Sequence, residues 1–361
     1  MVLSAVRAFR ISAPAVSCTP YGNGHINQTY LVVCEDGHRY ILQKMNRVAF
    51  PDVELLMRNI ERVTGYLAQF DEDGRHTLHL IPCTAGGHMH IDAEDGAWRM
   101  YEFVEGSYCL ERIEDSAQFY KSAQAFGGFQ KQLSGFPAKE LGEVIRRFHD
   151  TPDRFGQLHE AIDMDVKDRA ATCGREIELA LGMEYGADAL VKGMASGRIP
   201  TRVTHNDTKL NNVLFDRETD EPLCVIDLDT IMPGCMAYDF GDSIRFGATT
   251  AAEDEADLDR VHFVKPLFDA YAGGFLSACG EALSGEEELM SLAEGARLMT
   301  LECGIRFLAD YLKGDVYFHT AYPEHNLVRA RTQLKLTGEM GEVMDEMKDT
   351  LVRTARSYRA M

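Results

Sequence analysis

The stretch Val203-Thr204-His205-Asn206-Asp207-Thr208-Lys209-Leu210-Asn211-Asn212 holds a His-x-Asp-x-x-x-x-Asn pattern. An aspartate and an asparagine at that spacing suit phosphoryl transfer: the carboxylate accepts the proton of an attacking hydroxyl, and the amide oxygen turns to a divalent metal. Lys209, two residues after Asp207, can meet a γ-phosphate. A polar turn over 216–222 follows, and then Leu223-Cys224-Val225-Ile226-Asp227-Leu228-Asp229. Two short apolar strands joined by that turn carry Asp227 to the end of the second, which returns its carboxylate toward the same metal. Hard carboxylate and amide oxygens suit Mg²⁺. Asp229 is either a second metal ligand or a partner that orients the loop, and the orienting role is favoured. Any one Asp or Asn in a loop is ordinarily a turn or cap residue. It is the combination of His205, Asp207, Lys209, Asn212 and Asp227 that points to catalysis.

A literal Asp239-Phe240-Gly241 also occurs, a tripeptide that binds metal in protein kinases. No strand precedes it, because Met232-Pro233-Gly234 breaks the chain, and it opens an apolar segment in which Asp239 reads as a helix N-cap. The metal aspartate is therefore expected at 227. Nearer the N-terminus, Tyr21-Gly22-Asn23-Gly24-His25-Ile26-Asn27-Gln28-Thr29 lies between two strand patterns. Gly22 and Gly24 let backbone N–H groups approach phosphate oxygens; His25 and Asn27 would point to phosphates or acceptor, and Thr29 ends the segment. An Asn-Gly hairpin without function has the same composition, so the assignment rests on its place, the first turn of a strand-rich unit ahead of the catalytic loop. A kinase also wants a strand lysine on the α/β-phosphates paired with a helix glutamate. Lys44 with Glu61 or Glu54 answers that need. Tyr101-Glu102-Phe103-Val104 closes the last strand of the unit, and its backbone groups are the candidates for an adenine edge.

The elements that must position these residues fall into two regions, 1–104 and 105–361. In the first, the patterns VSCTPYG, QTYLVVCED, RYILQKMN, TLHLIPC and WRMYEFVEG read as strands separated by Gly, Asn and Asp turn signals. One helix interrupts them over 52–70, with Leu55, Leu56, Ile60, Val63 and Leu67 at helical spacing. After Gly106 long helical patterns take over, such as 115–133 and 285–312, broken by the strand-turn-strand near 203–230. A Glu-Gly-Ser step at 105–107 marks the boundary. The expected fold is α+β and bilobal, protein-kinase-like: a small antiparallel β-rich N-lobe with one helix, and a larger, mainly helical C-lobe.

The 361 residues carry 37 Lys+Arg against 57 Asp+Glu, a net charge of -20. Such a surface disfavours nucleic acid and anionic lipid, so any bound phosphate needs a local cationic site. Nine cysteines without a Cys-x-x-Cys pair suggest neither a disulfide framework nor a zinc site, but reduced, buried thiols. No apolar run long enough for a membrane span and no signal-peptide core is present, so a cytoplasmic protein is expected, its first residues forming a short amphipathic helix.

At these residues the chain resembles the aminoglycoside phosphotransferase-like kinases, and more closely the N-acetylhexosamine 1-kinases, which phosphorylate the anomeric hydroxyl of GlcNAc or GalNAc. The likeness runs near full length through PYGNGHINQTYLV, YILQKMN, HDTPDRF, VTHNDTKLNNVLFD, VIDLDTIMPGCMAYDFGDSIRFGA, ECGIRFLADYLKGDVYF and YPEHNLVRARTQLKL. It implies Asp207 as base, Asn212 and Asp227 as Mg²⁺ ligands, and Arg306 with Tyr317, and His25, as contacts to the sugar. Members of this type commonly carry a lysine directly after the strand Leu, whereas here Leu42 is followed by Gln43 and then Lys44; which of the two faces the phosphates is open, since neighbours on a strand point to opposite faces. From the residues alone, Arg306 and Asp310 could pair on a surface and Tyr317 could be core. The reading is therefore an ATP- and Mg²⁺-dependent kinase of N-acetylhexosamines. Its rivals are the same chemistry on an aminoglycoside, choline, homoserine or another sugar, and a nucleotide-binding module without turnover.

Overall fold

A computed structural model of the chain describes residues 2–22 and 26–359. The chain forms two compact units. Met1–Tyr108, Lys139–Ile145 and Leu214–Met232 make the first; Cys109–Ala138, Arg146–Val213 and Pro233–Met361 make the second.

The first unit opens with a one-turn helix α1 (Val2–Val6) and is built on an antiparallel sheet of β1 (Ala15–Pro20), β2 (Gln28–Cys34), β3 (Arg39–Met45), β4 (His90–Ile91) and β5 (Ala97–Glu102), in the order β1-β2-β3-β5-β4. Alternation gives each strand two faces. Val32, Leu42, Trp98 and Met100 share one, packed against Val6 and Phe9 of the N-terminal segment. By the register, Thr29, Gln43 and Arg99 lie across from one another on the other. Between β3 and β4 runs α2 (Val53–Leu67), where Leu56, Ile60, Val63 and Leu67 are buried and the Asp52 side chain caps the start by accepting from the Leu55 N–H. The expected strand over 77–83 does not form. That segment makes single bridges only, Leu80 to Tyr101 of β5 and Cys83 to Phe9 of the N-terminal segment, and Pro82 has no N–H with which to continue a ladder.

After β6 (Ser107–Cys109) the chain turns helical, with α3 (Ser116–Gln132), α4 (Thr151–Met164), α5 (Gly174–Gly182) and α6 (Ala189–Ala195). The short strands β7 (Arg202–Thr204), β8 (Val213–Asp216), β9 (Pro222–Val225) and β10 (Met232–Gly234) interrupt, β8 and β9 forming a sheet with β6. Then come α7 (Met236–Gly247), α8 (Lys265–Cys279), α9 (Glu286–Lys313), α10 (His325–Glu342) and α11 (Met344–Arg359). In the second unit α3 packs on α8, and α9 on both α7 and α10. Glycine permits the close crossing of α7 and α9: a Cβ at Gly295 would collide with the Ala237 carbonyl. Phe240, the middle residue of the Asp-Phe-Gly tripeptide, is fully buried among Phe268, Tyr271 and Phe275. All nine cysteines are free thiols, six of them buried. Among the described residues no helix is long and apolar enough to cross a membrane. The fold is protein-kinase-like α+β.

Candidate active site

The catalytic loop follows β7 and belongs to the second unit. Asn206 takes a left-handed backbone at φ 65°, which asparagine tolerates better than most residues, and this turns Asp207 out of the strand line. The Lys209 ammonium lies 2.7 Å from Asp207 Oδ1. Burial pushes the Asp207 carboxyl up, but Lys209, with His205 and Arg245 behind it, outweighs burial and holds it below the ordinary carboxylate range. Asp207 in turn raises the Lys209 ammonium. Asn212 donates its amide nitrogen to the Asp207 carbonyl at 2.8 Å and to Oδ2 at 3.3 Å. With the nitrogen so committed, the amide oxygen is the group left to meet a ligand.

The loop is shaped from α7. Asp239 is not the N-cap expected from sequence: Cys235 holds that position without a side-chain bond. Asp239 sits inside the first turn, where its Oδ2 accepts the His205 N–H at 3.0 Å and its Oδ1 the Asn206 N–H at 2.8 Å. Gln130 donates to it as well, at 2.7 Å. Asp242, one turn on, accepts the Thr208 N–H at 3.0 Å. The Thr208 hydroxyl donates to the Asp239 carbonyl at 2.5 Å, and Ser243 donates to the Thr208 carbonyl at 2.7 Å. Arg245 then ties Asp242 to Glu253, with contacts of 2.9 and 2.7 Å. The N–H groups of His205, Asn206 and Thr208 and the Thr208 carbonyl are thus all held by α7. Sequence reasoning missed Asp242 and Arg245, whose signal was the run Asp239-Phe240-Gly241-Asp242-Ser243, two acids one helical turn apart.

Asp227 belongs to the first unit. It follows β9 and Ile226, with φ 61° and ψ 60°, at the head of a single turn over Leu228–Thr230. A non-glycine residue in that conformation is uncommon and concentrates at functional sites. Asp229 is buried and held from both sides: Asn27 donates to its Oδ2 at 2.6 Å, and the Arg99 guanidinium pairs with its Oδ1. Asn27 is itself fixed by the Asn46 N–H at 2.9 Å. These contacts occupy both carboxylate oxygens of Asp229 with side chains of its own unit. Asn59 of α2 donates to the Ile231 carbonyl at 2.9 Å and anchors the end of the turn.

The strand lysine requires a correction. Lys44 lies across from Trp98 in the register and sits over its ring at 5.5 Å, on the face opposite Thr29, Gln43 and Arg99. Alternation forces this once Gln43 is turned toward Arg99. Glu61, one of its two expected partners beside Glu54, contacts His88. Arg99 was missed because one arginine inside an apolar strand pattern carries no motif.

Gly22 has the left-handed φ of 74° that a phosphate-approaching turn requires. Gly24 and His25 lie outside the described residues. Thr29 accepts from Gln43 at 3.1 Å. Within Tyr101–Val104, the Glu102 and Phe103 N–H groups already donate to the His79 and Arg39 carbonyls. An adenine edge therefore has to use the other backbone groups of that segment.

Around Arg306 the second unit builds a different surface. The guanidinium is half-buried and lies over the rings of Phe148, Tyr317 and Phe318 at 5.2, 5.8 and 5.5 Å, each a cation–π distance. Arg154 is near enough that burial and Arg306 together push its pKa down. His149 contacts Glu302 at 2.8 Å, and Glu302 accepts from Thr151 at 3.1 Å. Tyr317 is 67% exposed, so it is not core. Asp310 does not pair with Arg306. It is buried and accepts the consecutive N–H groups of Val316, Tyr317 and Phe318 at 3.0, 2.9 and 3.0 Å, plus Asn326 at 2.9 Å. A carboxylate in the last turn of α9 opposes the helix dipole, and these donors offset that.

Residues 17–273 match the family model described as the phosphotransferase enzyme family. The chain belongs to this phosphotransferase family. The match takes in the catalytic loop and the Asp227 turn and stops short of Arg306 and Tyr317. Among solved structures the phosphotransferase is similar to an amicoumacin kinase in complex with AMP-PNP, Ca²⁺ and Ami, at 15% identity and TM-score 0.60 over 96% of this chain and 93% of that one. A microcompartment-associated aminopropanol kinase is similar at 17% identity and TM-score 0.60, over 96% and 98%. An ethanolamine kinase of Plasmodium vivax is similar at 15% identity and TM-score 0.57, over 88% and 82%.

Proposed function

We propose that this phosphotransferase moves the γ-phosphoryl group of ATP onto the anomeric C1 hydroxyl of an N-acetylhexosamine, GlcNAc or GalNAc, releasing ADP and the sugar 1-phosphate in the cytoplasm. The observation that carries the reading is the Asp207 carboxylate, kept ionised by Lys209 and set by backbone bonds to α7. In this role Asp207 accepts the proton of the acceptor hydroxyl and Lys209 balances charge on the transferred group. Asn212 and Asp227 are the proposed Mg²⁺ ligands. Among the described residues no three His, Cys, Asp or Glu gather into a metal cage. A hard ion held by Asn212 and Asp227 would be completed by phosphate oxygens and water, and when bound it would neutralise charge on the β- and γ-phosphates.

Arg306 supports the acceptor class. Aminopropanol and ethanolamine, on which the similar kinases are named as acting, carry an amine. An amine at this chain's aromatic surface would meet Arg306 and Arg154, and like charges there disfavour it. A neutral acetamido sugar meets donors for its carbonyl and an aromatic face at Tyr317. The test is a panel of GlcNAc, GalNAc, glucose, galactose, their 1-O-methyl glycosides, ethanolamine and kanamycin with Mg-ATP, read by ADP release and product analysis. The N-acetylhexosamines should exceed the plain hexoses in kcat/KM by at least about tenfold, since buried groups left unpaired by the missing acetamide are costly. The methyl glycosides should be inert. A C6-phosphorylated methyl glycoside, or kanamycin outcompeting GlcNAc, would overturn the acceptor assignment.

A further inference from the structure

The strand position that faces the Asp229 side of the first unit's sheet holds Gln43, which has no charge to offer a phosphate. The cation on that face comes from the neighbouring strand. Arg99 lies directly across from Gln43 in the register and is 1% exposed. Its Nε donates to Gln43 Oε1 at 2.9 Å and its Nη2 pairs with Asp229. Among the described residues its Nη1 is buried and meets no acceptor, and the Tyr101 hydroxyl, whose ring lies 5.3 Å from the guanidinium, is also buried without a partner. Buried donors are almost always satisfied. A guanidinium whose other two edges are fixed leaves this one directed at a group that the described residues do not supply, and the planar fork of arginine matches phosphate oxygens.

We infer that Arg99 is the first unit's polyphosphate-binding cation, held by Gln43 and Asp229 so that Nη1 donates to an α- or β-phosphate oxygen of the nucleotide. The inference rests on the ATP-dependent reading above and adds to it a residue in place of the strand lysine. It also accounts for Lys44, which is free to cover Trp98 because the charge is delivered from β5.

The test is calorimetric titration of the full-length chain with adenosine, AMP and ADP, without added metal. Arg99→Gln should weaken ADP binding by about tenfold or more, the worth of a lost charge-assisted hydrogen bond, and leave adenosine unchanged. Adding Gln43→Lys to that variant, which moves the cation to the facing position on β3, should restore most of the ADP affinity. Arg99→Lys should give an intermediate loss, and it decides the matter if Arg99→Gln does not fold. ADP affinity equal to wild type in a folded variant overturns the inference. So does an equal fall in adenosine and ADP affinity, or adenosine binding intact with no rescue by Gln43→Lys. Wild-type protein that binds no adenine nucleotide overturns the ATP reading as well.

Discussion

The loop that carries Asp207 and the turn that carries Asp227 each present one carboxylate, but they are braced by different kinds of contact. Around Asp207 the braces act on the main chain: Asp239 and Asp242 of α7 accept the N–H groups of His205, Asn206 and Thr208. Around Asp227 they act on a neighbouring side chain: Asn27 and Arg99 grip Asp229. A loop bound through its backbone keeps its shape when its side chains change. A turn bound through one carboxylate depends on the charge of that carboxylate's partners. Substitutions behind the Asp207 loop should therefore act on folding and turnover together, and substitutions behind Asp229 on ligand affinity.

The contrast breaks most sharply at Asp239. Asp239→Ala removes the carboxylate that accepts the buried His205 and Asn206 N–H groups, and one of the two acceptors of the Gln130 amide, which keeps the Val203 carbonyl, and should lower stability by about 3–5 kcal/mol with loss of turnover. Thermal melting and kcat together check it. A variant with a wild-type melting temperature and kcat would mean that the loop does not need its backbone brace.

A smaller effect sharpens the electrostatic side. Because Lys209 is what holds the Asp207 carboxyl low against burial, Lys209→Met leaves burial unopposed and the pKa must rise. In the wild type the ionised form persists below the ordinary carboxylate range, and activity tied to it is lost only as pH falls through that depressed value. In Lys209→Met the acid limb of the kcat/KM profile should move to higher pH, with a lower plateau. An unmoved limb would show that the proton lost there belongs to another group.

The smallest effect is expected at the acceptor surface. Asp310→Asn leaves one acceptor oxygen for the N–H groups that shape 316–318. It should raise the KM for the acceptor about tenfold, the worth of roughly one hydrogen bond, with the KM for ATP within twofold of wild type. Equal changes in both would make Asp310 a general stability residue.

These differences also mark what could be read from the chain alone. Asp207, Lys209 and Asn212 were legible because the chemistry fixes their spacing within six residues, and Asp227 because a hairpin sets its distance. Helices α2 and α3 were legible as helical patterns over 52–70 and 115–133, and Asp52 and Asp115 cap them. The supports were not. Arg99 lies 130 positions from Asp229, and only the β3–β5 register brings it beside Gln43. The segment 77–83 has the alternation of a strand but is denied a ladder by Pro82. For Asp310 the one-turn spacing to Arg306 offered only the alternative of a surface pair, whereas the chain reversal after α9 gives it three backbone donors.

Asp207 is proposed as the base of an ATP-dependent transfer to a sugar hydroxyl. The decisive measurement is acceptor-dependent ADP release from Mg-ATP and GlcNAc by wild type and Asp207→Ala, with nucleotide binding measured on both. Acceptor-dependent turnover is expected in the wild type, and a fall in kcat of roughly 10²–10⁴ in the variant with ATP still bound. Near-full turnover in Asp207→Ala would contradict it.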